Sequence, residues 1–387
     1  MSRLLVLAYV AFISIGLPDT VLGVAWPSVR AGFGVSQSAI GAILAAWVTG
    51  YCLSGVLAGL AERKLGVGGL LTLSSVVIAL GLTGYALAAS WFGFFPIGFV
   101  MGLGSGAIDS GLNGYAARHF SARHLNWLHA CWGIGASVGP VIMTACIARG
   151  LGYRTGYAAI ACVLGAVAIG FLLTQKAWAE PRTATVPAVS TSIPTGGDFR
   201  AALRSGGVWL QMATFFVYTS LEATVGQWSF TLMRDARGVS VEAAGAWTAA
   251  YWASLTLGRF ALGFAVEHFG ADRLLRAASV AVVAGAAAFA LDAGAVGRAG
   301  LLLLGFGLAP VFPTLMSRTP ARLGEGLSRH AIGFQVSAGI LGAALLPALV
   351  GVLVAARGAA VIASVTLGLG VAFLLVHEIL LRRSNAA

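Results

Sequence analysis

Three carboxylates sit deep in long apolar stretches of this sequence: Asp19, Asp109 and Glu222. A charged side chain facing lipid is costly, so each should face protein or a water-filled cavity. There an acid can hold a proton or accept hydrogen bonds from a polar ligand. The competing reading is structural: an acid paired to nearby backbone or to an arginine. Helical spacing groups the acids with other residues. Phe12, Gly16, Asp19, Gly23 and Trp26 fall on one stripe; Gly102, Gly106, Asp109 and Asn113 fall on another. Asn113, one turn beyond Asp109, offers amide donors and an acceptor. His129 and Trp132 share a face of a later apolar run. The glycines serve equally for close helix packing.

Glu222 is followed by Gly226, Gln227 and Trp228. On an unbroken helix, Gln227 and Trp228 do not share a face with Glu222. They converge with it only if the helix unwinds near Gly226, as transporter helices often do. Trp252, Phe312 and Gln335 complete the candidate lining. Carboxylates, amides and aromatic rings together suit a ligand with many hydroxyls. The polar groups would take the hydroxyls, and the ring faces would cover the C–H side.

The elements that must hold these residues are membrane spans. The chain has 387 residues, 58% hydrophobic and 10% charged, where a soluble protein carries roughly 25% charged residues. Twelve apolar stretches recur, near 4–28, 36–61, 67–89, 92–117, 126–148, 154–175, 206–232, 241–266, 273–292, 297–317, 330–355 and 359–381. Each is long enough to cross a bilayer as a helix. No alternating short strands indicate a membrane barrel. The prediction is an all-α polytopic protein with an N-terminal six-helix bundle (1–175), a Pro-, Ser- and Thr-rich cytoplasmic linker (176–205) and a C-terminal six-helix bundle (206–387). The first run contains Asp19 and two prolines and reads as a retained span, not a cleaved signal.

The net charge of +11 lies mostly in short loops, which sets orientation and gives no reason to expect a nucleic-acid partner. Lys and Arg outside the spans divide about sixteen to seven in favour of the side that holds both termini. Both ends are therefore expected in the cytoplasm. Cys52, Cys131, Cys146 and Cys162 form no C-x-x-C pair, so neither a disulfide framework nor a metal site is expected. No nucleophile elbow, metal motif or phosphate loop points to an enzyme, and no cofactor is expected.

The chain also repeats. The gapless shift that carries Thr20-Val21 onto Thr224-Val225 carries Arg30 onto Arg234 and Gly34-Val35-Ser36 onto Gly238-Val239-Ser240. It carries Gly41, Gly59 and Gly66 onto Gly245, Gly263 and Gly270. Two parallel six-span halves of this kind are a transporter architecture.

Twelve spans, a central linker and two similar halves resemble the major facilitator superfamily. Gly59 to Gly66, with Glu62-Arg63, is similar to that family's loop motif after the second span, with the acidic–basic pair one position early. Gly258-Arg259 with Gly263, Glu267 and Gly270 is the counterpart in the second half. The resemblance implies that Gly59, Glu62, Arg63, Arg259, Gly263 and Glu267 latch helix ends. Leu17-Pro18-Asp19, Asp109 to Asn113, Gly135 with Gly139-Pro140, Glu222 to Trp228 and Pro310-Val-Phe-Pro313 resemble the fucose/glucose/galactose–proton symporter branch. An Asp in span one and a Glu in span four serve substrate binding and proton coupling in that branch. Here Asp109 stands where the branch has Glu.

The resulting expectation is a secondary active transporter in a bacterial inner membrane, monomeric, carrying a sugar or similar small polar solute with protons. Asp19, Asp109 and Glu222 would couple protons. Asp19, Trp26, Asp109, Asn113, His129, Trp132, Glu222, Gln227, Trp228, Phe312 and Gln335 would contact substrate. Asp19 and Glu222 would face each other across one cavity. Two alternatives stay open: a proton-driven exporter of a drug-like or metabolite substrate, and a membrane sensor or structural protein that does not transport.

Overall fold

A computed structural model describes residues 3–120, 122–178, 197–292 and 294–386. Among them the regular structure is helical throughout. The chain divides into two compact units, Met1–Ser192 and Ile193–Ala387. Most of the expected linker lies outside the described residues.

In the first unit α1 has two arms, Arg3–Asp19 and Val21–Phe33. They meet at Thr20, just past Pro18. Proline lacks the N–H that would close the preceding turn, and its ring crowds the carbonyl one turn back. The break therefore follows from sequence and places Asp19 at the joint. Ile40–Leu87 forms α2 and α3, which part at Gly66 with φ 68°. Then come α4 (Ile97–His119), α5 (Ala122–Ala148) and α6 (Gly152–Thr174).

The second unit opens on a short helix, Gly197–Arg204. Ser205 then caps α7 (Gly206–Thr231), its hydroxyl accepting from the Val208 N–H at 3.4 Å. Next are α8 (Val241–Phe269) and α9 (Ala271–Ala290). The α10 helix joins Ala295–Leu308 to the first arm of Val311–Arg357, which breaks at Gly324. Its second arm is α11, and α12 is Val361–Ala386.

Ten helices among the described residues are long and apolar enough to cross a bilayer. Of the twelve expected, α7 and α8 have the length, at 26 and 29 residues, but fall outside that set. Polar residues such as Gln211, Thr214, Ser220, Glu222 and Gln227 dilute the apolar character of α7.

Backbone-to-backbone seams pair the helices within each unit. A side chain at Gly16 of α1 would come within 2.1 Å of the Trp132 carbonyl on α5. One at Gly102 of α4 would come within 2.0 Å of the Trp47 carbonyl on α2. Only glycine allows such approach, and it brings polar groups on facing helices within hydrogen-bond reach. The second unit packs α7 on α11 through Gly342 and α8 on α10 through Gly258 in the same manner. The repeat read from sequence reappears as backbone conformation. Gly34 and Gly238 have φ 64° and 62°; Gly66 and Gly270 have 68° and 79°. A Cβ disfavours that left-handed region, so the matched glycines mark equivalent turns.

Candidate functional site

In the first unit the two glycine seams bring two acids into one cluster. Asp19, at the joint of α1, accepts from the Trp132 indole N–H on α5 at 3.0 Å. Thr20 fixes the same joint by donating to the Ala136 carbonyl at 2.7 Å. Across the α2–α4 seam, the Tyr51 hydroxyl donates to Asp109 Oδ2 at 2.7 Å. Asn113 donates its amide to Asp109 Oδ1 at 2.9 Å, one helical turn away. Trp47 lies beside Tyr51, with ring centroids 5.0 Å apart. Tyr51 stands within electrostatic range of both Asp109 and Asp19. Both acids are half-buried, so they are shielded yet not sealed.

Of the other residues expected here, His129 is exposed and edges onto Phe12 at 5.4 Å. Trp26 leaves the cluster. It is fully buried, donates to the Gln37 side-chain oxygen at 2.7 Å and packs against Trp91. A sealed indole with its one donor satisfied is a packing residue, so Trp26 is withdrawn from the contact set.

The second unit holds a different arrangement. Glu222 of α7 accepts from the Tyr218 hydroxyl one turn earlier. The Arg259 guanidinium of α8 lies 3.7 Å from the same carboxylate. The two side chains are 15% and 16% exposed, so the pair is largely out of water. Tyr251 donates to the Glu222 backbone carbonyl at 3.1 Å. Arg259, expected in the helix-end latch, lies here as a counter-ion of Glu222. Glu222 therefore has a cationic partner on the neighbouring helix α8.

The unwinding at Gly226 on which convergence depends does not occur, and α7 is helical from Gly206 to Thr231. A side chain at Gly226 would come within 2.1 Å of the Trp252 ring. This glycine makes room for the indole and does not loosen the helix. Gln227 and Trp228 consequently do not converge with Glu222. Trp228 is fully buried and donates to the Pro347 carbonyl at 2.9 Å. Gln335 is likewise sealed, bonded to Gln211 and Thr319. Trp228 and Gln335 are withdrawn as ligand contacts. Phe312 is partly exposed and edges onto Phe215 at 5.3 Å.

At the loop motif, Gly59 and Arg63 are exposed and Glu62 is half-buried. Gly263 and Glu267 lie in α8. Asp272, in the first turn of α9, takes two guanidinium contacts: Arg318 at 3.0 Å and Arg322 at 3.0 Å. Sequence reading passed over it, although Asp272-Arg273 directly after Gly270 is itself an acidic–basic pair. Tyr51, Tyr218 and Tyr251 were also missed. A tyrosine in an apolar run carries no signal of its own until its partner helix is known.

A family model described as Major Facilitator Superfamily matches residues 8–347. The glucose/mannose transporter GlcP of Bacillus subtilis (strain 168) is 22% identical over 322 residues, covering 80% of this chain and 78% of GlcP. Among solved structures, the nucleoside transporter NupG superposes with TM-score 0.74 at 16% identity, covering 98% of this chain and 99% of NupG. The E. coli fucose:proton symporter FucP, in a variant form, superposes with TM-score 0.63 at 17% identity, covering 98% of each chain.

Proposed function

The chain belongs to the major facilitator superfamily, and on that premise we propose that this membrane transporter carries a sugar or similar small polar solute together with protons. The observation that carries the reading is the cluster of Asp19, Asp109 and Asn113 held by Trp132 and Tyr51. It offers two carboxylates, an amide and two amphipathic rings within one unit. Hydroxyls of a ligand can donate to the acids and accept from Asn113, while indole and phenol rings cover apolar faces. The named substrates of GlcP, glucose and mannose, support the sugar class.

Coupling in this reading rests on the same acids. A carboxylate in a shielded site exchanges its proton only when access to water opens, which ties protonation to alternation of the transporter. The proposed contact set in the first unit is Asp19, Asp109, Asn113 and Trp132, with His129 at its edge. Glu222 and Arg259 supply a charge-balanced pair in the second unit. The protein is proposed to work as a monomer in a bacterial inner membrane, importing its solute, with both termini cytoplasmic.

The test is uptake into proteoliposomes of radiolabelled glucose, mannose, fucose and uridine, with and without an acid-outside pH gradient. The reading expects at least one sugar to accumulate only with the gradient. Uptake of uridine alone, or of none of the four, would overturn the sugar assignment.

A further inference from the structure

The short helix Gly197–Arg204 is fastened to the ends of three longer ones. Its Ala202 is fully buried and packs with Val208 of α7 and Ala331 of α11, and Leu323 at the end of α10 closes the cluster. Phe199 sets its ring edge-on to His330 and Phe334 of α11, with centroids 6.0 and 5.6 Å apart. One face of the short helix is therefore covered by protein.

The other face is open. Arg200, Ala201 and Arg204 are exposed, and Leu203 is 39% exposed. Trp209, in the first turn of α7, is 53% exposed. Its indole N–H donates to the Leu203 carbonyl at 2.7 Å, which ties the ring to the short helix and leaves much of its apolar surface bare. Arg383, near the end of α12, is exposed and reaches the same place: a Cβ at Gly206 would lie 3.7 Å from its guanidinium. Arg382 beside it is answered by Glu378 at 3.6 Å. Arg200, Arg204 and Arg383 have no acidic partner among the described residues. The short helix has one acid in its sequence, Asp198, against two arginines.

We propose that this surface of the second unit docks acidic phospholipid headgroups: Arg200, Arg204 and Arg383 hold the lipid phosphates in the leaflet where α7 begins, and Trp209 and Leu203 sit just beneath them. Tryptophan prefers that depth, because its ring is apolar and its N–H is polar. Attraction of a basic side chain to an acidic leaflet fades over about 8 Å at physiological salt. Arg204 lies one residue before the cap of α7, within that reach. An acidic protein segment would use the three cations and leave the bare indole and leucine unexplained. Through Phe199 and Ala202, lipids held here moor the ends of α7, α10 and α11 together. The inference is independent of the solute and of proton coupling.

The test uses full-length protein in phosphatidylcholine nanodiscs. In a background lacking Cys52, Cys131, Cys146 and Cys162, Ala201→Cys carries a fluorophore on the open face. Quenching by spin-labelled phosphatidylglycerol is compared with quenching by spin-labelled phosphatidylcholine at equal mole fraction. The acidic lipid should be enriched at the label, and the enrichment should fall about fivefold for each arginine removed, the effect of one basic residue at an acidic surface. Arg200→Gln with Arg204→Gln should therefore remove most of the preference. Arg200→Lys with Arg204→Lys keeps both charges and should retain it, and 1 M salt should weaken it, on the order of a 3 Å screening length. Equal quenching by the two lipids, or a preference that survives both glutamine substitutions, would overturn the proposal. Quenching by neither lipid would place the helix in water and leave the surface to a protein partner, which overturns it too.

Discussion

The Trp132 indole reaches Asp19 across a seam too narrow for any side chain at Gly16, so the acid and its donor are fixed by the contact that joins α1 to α5. Replacing Trp132 with Phe keeps the ring and removes the N–H. KM for the transported sugar should rise about tenfold, the worth of one hydrogen bond to a charged group. Concentration-dependent uptake in vesicles measures it. An unchanged KM at normal expression would place Trp132 outside the site.

Asp19→Asn mimics a permanently protonated acid. It should abolish accumulation against a gradient while equilibrium exchange of labelled sugar persists. Asp109→Asn should weaken both, because the amide keeps one acceptor oxygen and sets an NH2 group against a donor, either Tyr51 or Asn113. Comparing exchange with gradient-driven uptake in the two variants separates these outcomes. Full accumulation by either variant would remove that acid from the mechanism.

The Glu222–Arg259 pair predicts a rescue. Glu222→Gln strands a largely buried guanidinium, and Arg259→Met strands a carboxylate; each single change should reduce folded yield and uptake. The double variant removes both charges and should recover much of both. A double variant no better than the singles, with normal yield, would mean that Glu222 acts in coupling after all.

Asp272 is expected to hold the ends of α9 and α10. Arg322 is only 3% exposed and Asp272 is 36% exposed. Asp272→Asn should therefore cost about 2 kcal/mol, below the roughly 3–5 for a fully buried pair. Thermal unfolding in detergent should show the lowered midpoint, and an unchanged midpoint would deny Asp272 that role.

Much of the fold was legible because the membrane imposes it. Apolar runs must be helices there, and the matched glycines at 34 and 238 announced the repeat. Asp19, Asp109 and Asn113 stood out because polar groups in such runs require partners. What sequence could not supply was the identity of those partners. Helical spacing placed Trp26 on the Asp19 face, but Gln37 and Trp91 cover it. Gly226 read as a weak point in α7, yet it is the notch that receives Trp252. The family resemblance gave Arg259 a latch role, and only the packing of α7 on α8 shows it beside Glu222. Tyr51 gave no signal, since only the α2–α4 seam turns it towards Asp109.

Orientation is tested at the segment between the two units. In a background lacking Cys52, Cys131, Cys146 and Cys162, a Ser190→Cys variant should react with a membrane-impermeant thiol reagent only after cells are opened. Labelling of intact cells would reverse the proposed topology.

Proton movement driven by the solute tests the central claim most directly. Proteoliposomes enclosing a pH-sensitive dye, with no imposed gradient and with potassium and valinomycin clamping the voltage, receive the transported sugar from outside. The account predicts that the lumen acidifies as the sugar enters, and that Asp19→Asn abolishes the signal while still exchanging labelled sugar. Sugar entry at the wild-type rate with no change in lumenal pH would contradict it.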